Sequence, residues 1–115
     1  MIEIKNYGKL VVVKINARRI DVSNADILNK NLDEALKFDY ILLDVEMLEF
    51  IDSSGVGIII SFYKKIKGKK GKFGLVNVNN RIFTILNITG LLKIIKIYKT
   101  YEDAKEDYFE TVTET

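Results

Sequence analysis

A polar cluster, Asp52-Ser53-Ser54-Gly55, stands between the apolar pair Phe50-Ile51 and an apolar run that begins at Val56. Residues of these types at such a boundary cap a helix. A carboxylate or hydroxyl oxygen accepts the N–H groups that the first turn leaves unpaired. Gly55 and Gly57 suit that reading, since they let the first turn lie close to a neighbouring backbone. A second chemistry is available at the same place. A serine at a helix N-terminus sits at the rim where strands end, so its hydroxyl is open to modification. A phosphate there meets unpaired N–H groups and the positive end of the helix dipole. It also brings about −1.5 to −2 charges, which a docked protein surface would have to desolvate. One modification there would then switch binding without refolding the domain.

Other chemistries are poorly provided for. The chain has no Cys and no His, which excludes disulfides, thiolate nucleophiles, Cys-based metal sites and the usual general base. Gly55-Val56-Gly57 lacks the third glycine of a dinucleotide fingerprint, because Ile60 stands there. No GxxxxGK[ST] spacing occurs, and Ser53 lacks the glycine two residues earlier that a nucleophile elbow needs. A Ser–Lys pairing has nothing to position it. Ile41 to Met47 resembles the phosphoacceptor strand of a receiver domain, but Val13-Lys14-Ile15-Asn16 supplies no acidic pair to hold Mg²⁺. Asp44 therefore reads as a strand end. The lysines from Lys64 to Lys72 read as a solvated helix terminus, since cations favour the negative pole of the dipole. A formal net charge of +2 is too even to point to nucleic acid. The expectation is a binding module that is not an enzyme and needs no cofactor or metal.

The 115 residues amount to one domain, and hydrophobic residues at 48% suffice for a core without staples. Ile2 to Asn6 and Leu10 to Ile15 are β-branched runs flanking Asn6-Tyr7-Gly8-Lys9, a hairpin spacing. Asn24 to Lys37 has helical periodicity, with Ser23 as its expected N-cap and Asp26 completing a capping box. Tyr40 to Val45 reads as a buried strand, Ser54 to Lys67 as a helix and Phe73 to Val78 as a strand. Arg81 to Thr89 is a short helix with Gly90 at its C′ position, and Lys93 to Tyr98 is the last strand. Thr100, with Asp103 three residues on, caps a final helix.

Strands separated by helices pair in parallel through right-handed crossovers. The expected fold is α/β: a mixed sheet of about five strands, antiparallel in its opening hairpin and parallel elsewhere, with about four helices. The domain is expected to span residues 1–110, and residues 111–115 to form a short tail. No run approaches the roughly 20 apolar residues of a membrane span. Met1-Ile2-Glu3-Ile4-Lys5 lacks a basic segment followed by an apolar one, so a cytoplasmic location is expected.

The helix after the serine cluster carries more apolar surface than one core stripe requires. Val56, Ile58, Ile59, Ile60, Phe62, Tyr63 and Ile66 cover an arc of about 200°. Neighbouring helices account for part of that arc. The remainder is expected to form a partner-binding face at Ile58 and Phe62.

Asp52-Ser53-Ser54-Gly55-Val56-Gly57, between a strand and an apolar helix, resembles the phosphorylation site of STAS-domain anti-sigma factor antagonists. Ile20-Asp21-Val22 before a helix resembles the segment after that family's second strand. Lys69 to Asn80, with Gly71, Leu75 and Asn77, resembles its turn into a strand, and Ile88-Thr89-Gly90-Leu91 the close of its third helix. The resemblance spans about residues 1 to 108.

The resemblance implies a STAS-like domain that acts as an anti-sigma factor antagonist. Its partner would be an anti-sigma factor that is also a serine kinase, and Ser53 the residue phosphorylated. The unphosphorylated form would bind that partner and release the sigma factor; phosphorylation would end binding, and a serine phosphatase would restore it. Asp52, Ser54, Gly55 and Gly57 form the setting of the acceptor, and Asp21 matches an acid on the kinase-facing surface. Arg18-Arg19 stands where the family usually has Gly-Glu, which reverses the local charge and bears on the partner's identity. The alternative keeps the fold without the kinase, as a scaffold subunit of a stress complex or a small subunit of a lipid transporter.

Overall fold

Alternation of β-branched residues sets up the sheet, and a computed structural model describes it over residues 1–109. Ile2–Tyr7 (β1) and Leu10–Ile15 (β2) form the expected antiparallel hairpin, with Ile2 opposite Ile15 and Tyr7 opposite Leu10. Tyr40–Asp44 (β4) runs parallel to β2, Lys72–Val76 (β6) parallel to β4, and Lys96–Tyr98 (β7) parallel to β6. The strand order is β1-β2-β4-β6-β7, a mixed five-stranded sheet.

Side chains alternate across the sheet, so each strand feeds two cores. Val11, Val13, Ile41, Leu43, Phe73 and Leu75 point to one face. There they meet the helices Ala25–Glu34 (α1), Ser53–Gly68 (α2) and Asn80–Ile88 (α3). Leu10, Leu42 and Val76 point to the other face, which the helix Tyr101–Phe109 (α4) covers with Ala104 and Tyr108. The Tyr108 hydroxyl donates to the Ile41 carbonyl at 2.8 Å and fixes α4 to the central strand.

Two caps form as the sequence indicates. Thr100 Oγ1 accepts the Asp103 N–H at 3.1 Å. Gly90 follows α3 at φ 79°, a left-handed conformation that suits glycine and ends the helix. Three local expectations are corrected. Ser23 does not cap α1; Asn24 holds that position without a side-chain cap, and the Ala25 N–H goes to the Asp21 carbonyl at 2.9 Å. The helical segment ends as α-helix at Glu34 and tightens to a 3₁₀ turn over Ala35–Lys37. The last strand begins only at Lys96, because Lys93 closes a 3₁₀ turn over Leu91–Lys93 and Ile94 and Ile95 fall in a turn and a bend.

One element was not foreseen. Arg19–Ile20 (β3) and Phe50–Ile51 (β5) pair in parallel as a separate two-stranded ribbon, Arg19 opposite Phe50 and Ile20 opposite Ile51. Each strand leads directly into an aspartate. The ribbon therefore sets Asp21 beside Asp52.

Candidate functional site

The site is the junction of this ribbon with the N-terminus of α2. Asp52 leaves β5 in extended conformation and is the N-cap of α2. Its Oδ1 accepts the N–H of Ser54 at 2.9 Å and of Gly55 at 3.1 Å, which satisfies the first turn. Its Oδ2 accepts the Val22 N–H at 3.2 Å, and its own N–H donates to the Ile20 carbonyl at 3.0 Å. One carboxylate thus caps a helix and ties down the turn after β3.

The two serines are not equivalent. Ser54 Oγ is half-buried and donates to Asp52 Oδ1 at 2.5 Å. Ser53, the first residue of α2, is exposed, and its hydroxyl makes no hydrogen bond among the described residues. Ser54 is held; Ser53 is free. The hydrogen bond from Ser54, then those from the Gly55 and Ser54 backbone, hold the Asp52 carboxyl below the ordinary carboxylate range despite some desolvation. The carboxylate stays ionised at neutral pH, and the helix N-terminus already carries an anion. The expectation that a phosphate would find unpaired N–H groups is corrected at Ser54 and Gly55, whose N–H groups Asp52 occupies.

Asp21 closes the neighbouring turn. Its Oδ1 accepts both the hydroxyl, at 2.5 Å, and the N–H, at 2.9 Å, of Ser23. These bonds, with Arg19 nearby, lower its carboxyl below the usual range. Arg19 pairs with Asp21 at 3.6 Å and lies over the Phe50 ring at 4.3 Å, while Arg18 pairs with Glu49 at 3.7 Å. Both arginines thus have acidic partners within their own surface.

The glycines divide. A Cβ on Gly55 would lie 2.6 Å from Ile20 Cγ2 and 2.6 Å from Ile51 Cγ1, so only glycine lets α2 seat against the ribbon. Gly57 is exposed and a Cβ there would meet nothing within 4 Å, which corrects the close approach expected of it. Phe62 is corrected too. It is 3% exposed and packs edge-on against Phe73 at 5.3 Å between ring centres, so it belongs to the core. Ile58 is half-buried against the same core. Sequence reading missed Val22, which is 81% exposed beside Asp52 and adds apolar surface to the site. Its only signal was its place after Ile20-Asp21.

Comparison with known proteins agrees with this arrangement. The STAS domain family matches residues 1–104. An anti-sigma F factor antagonist of Paenibacillus polymyxa is 32% identical over 81 residues, 68% of this chain and 68% of that protein. A candidate anti-sigma factor antagonist of Thermotoga maritima has a crystal structure with a TM-score of 0.82 at 30% identity, covering 93% of each chain. SpoIIAA in its unphosphorylated form shares the fold, with a TM-score of 0.74 at 19% identity over 100% of this chain and 98% of that one. Among the described residues no helix is long and apolar enough to cross a membrane. With the match running from β1 into α4 and the Asp-Ser-Ser-Gly turn within it, the chain belongs to the STAS-domain family of anti-sigma factor antagonists.

Proposed function

We propose that this protein is a phosphorylation-switched binding module, not an enzyme, whose partner is an anti-sigma factor with serine kinase activity. With Ser53 bare, it binds that partner and frees the sigma factor. The kinase phosphorylates Ser53 and the complex falls apart; a serine phosphatase returns the protein to its binding form. The observation that carries this reading is the division of labour between the serines. Ser54 is bonded to Asp52, whereas Ser53 is exposed on the same turn with a hydroxyl that makes no hydrogen bond among the described residues.

The docking surface centres on Ser53 and takes in Asp21, Val22 and the exposed edge of Ile58. Val22 supplies apolar area to bury and Asp21 a fixed charge for orientation. A phosphate at Ser53 lands in that surface beside the ionised Asp52, and Arg18 and Arg19 already answer Glu49 and Asp21. Burying an uncompensated dianion in a protein interface costs several kcal/mol by the effective desolvation penalty. That is enough to reverse binding without any change of fold. Support for such a cycle comes also from the wider fold group, in which SpoIIAA is known in phosphorylated as well as unphosphorylated form.

A pull-down from native lysate with wild type, Ser53→Ala and Ser53→Asp as baits tests the reading. A small serine kinase retained by wild type and Ser53→Ala but lost with Ser53→Asp is the expected result. Recovery of a transporter or a large scaffold, indifferent to residue 53, would replace it with a STAS role outside sigma regulation.

A further inference from the structure

One edge of the main sheet is uncovered. β1 ends the strand order β1-β2-β4-β6-β7, and among the described residues it pairs with β2 alone. Glu3 to Tyr7 are exposed along it. Such an edge presents a row of backbone groups to another strand.

The hairpin decides which groups those are. Tyr7 and Leu10 close the two-residue turn Gly8-Lys9 as a hydrogen-bonded pair. At the other end the Asn16 N–H donates to the Met1 carbonyl at 2.8 Å. Antiparallel pairs alternate, so Glu3, Lys5 and Tyr7 direct their backbone N–H and C=O groups to β2. Ile2, Ile4 and Asn6 direct theirs outward.

The side chains select the strand that fits. Glu3 and Lys5 share one face of β1 and meet at 3.7 Å. A second β1, antiparallel to the first about a twofold axis at Ile4, pairs Ile4 with its own copy and Ile2 with Asn6. All of these have outward backbone groups. Glu3 of each copy then stands opposite Lys5 of the other, in the closer, non-hydrogen-bonded kind of pair. Sliding one copy by one residue sets outward groups against groups already bonded to β2. Sliding it by two sets Glu3 against Glu3 or Lys5 against Lys5, and like charges directly opposite are destabilising. Neither face is closed off, since Ile4 is 36% exposed on the helix side and a cleft lies over Lys5 on the α4 side.

We propose that β1 is a homodimer interface, at which two copies of this chain join edge to edge about Ile4 into one continuous sheet. The interface is isologous, and its charge pattern permits a single register. Sedimentation velocity of the full chain over a concentration series tests this. The expected result is a monomer–dimer equilibrium that Lys5→Glu and Glu3→Lys each weaken at least tenfold. Mixing these two variants should restore dimers, because the mixed pair again sets opposite charges against each other. Ile4→Pro removes an outward N–H that the hairpin does not use, so it should abolish the dimer and leave the circular dichroism spectrum unchanged. Ser53→Asp should not alter the equilibrium, which makes the outcome independent of the switch. A chain that stays monomeric up to about 1 mM would overturn the proposal. So would a dimer indifferent to both charge reversals, or a mixture of the two variants that stays monomeric.

Discussion

Asp52 accepts the backbone N–H of Val22 at 3.2 Å, so the residue that caps α2 also holds the turn after β3. These residues lie 30 positions apart, and the β3–β5 ribbon brings them together. The serine turn and the Asp21 turn therefore form one joined surface. Under the proposed function, a partner docked at Ser53 would also meet Asp21 and Val22.

Removing the Asp52 carboxylate should loosen both turns at once. Asp52→Ala is expected to lower Tm and speed amide exchange at Val22 as well as at Ser54 and Gly55. Asp52→Asn keeps an oxygen acceptor and should recover part of the loss. Exchange that rises only at Ser54 and Gly55 would show that the tie to Val22 carries no weight.

Acid should weaken the same junction. Asp52 and Asp21 have carboxyls lowered in the folded protein, by the Ser54 and Ser23 hydroxyls first. A lowered folded pKa means that the unfolded chain binds protons more readily. The stability these groups give is complete above the ordinary carboxylate value of about 4 and is lost as pH falls through the folded values. Urea midpoints measured down from pH 6 should therefore fall below about pH 4. Asp52→Asn should show a shallower fall over that window.

The two glycines should respond with opposite sign. Gly55→Ala forces a methyl to within 2.6 Å of Ile20 and Ile51 side-chain carbons and should cost about 1–3 kcal/mol, as overpacking does. Gly57→Ala adds a methyl to open space in a helix interior and should stabilise by about 1 kcal/mol. Urea unfolding of both variants measures the difference.

Ile58 and Phe62 should separate in the same way between binding and stability. Phe62→Ala empties a core position against Phe73 and should cost about 3–5 kcal/mol. Ile58→Ala should cost less stability and weaken partner binding more. A stable Phe62→Ala protein that no longer binds the partner would contradict this assignment.

Much of this was legible in the residues because it depends on local pattern. The hairpin, the mixed antiparallel and parallel pairing of the sheet and the cap at Thr100 follow from alternation, crossover rules and residue types at fixed offsets. What stayed hidden depends on tertiary neighbours. Two-residue strands such as Arg19–Ile20 and Phe50–Ile51 are too short for any periodicity to register. Ser23 has the residue type of a cap, yet Asp21 captures its hydroxyl and leaves Asn24 in that position. Phe62 reads as surplus apolar surface along the helix, because its partner Phe73 lies 11 positions away on another element. The serine turn was visible as a motif, but which hydroxyl is free depends on Asp52 choosing Ser54.

The central claim is that the charge state of Ser53 governs binding on an unchanged fold. The most direct test is the affinity of the Ser53-phosphorylated protein for the anti-sigma factor kinase, measured by calorimetry beside the unmodified protein and Ser53→Ala. The account predicts at least a hundredfold loss on phosphorylation, near-equal affinity for wild type and Ser53→Ala, and matching amide spectra away from the serine turn. Equal affinity of phosphorylated and unmodified protein would contradict it.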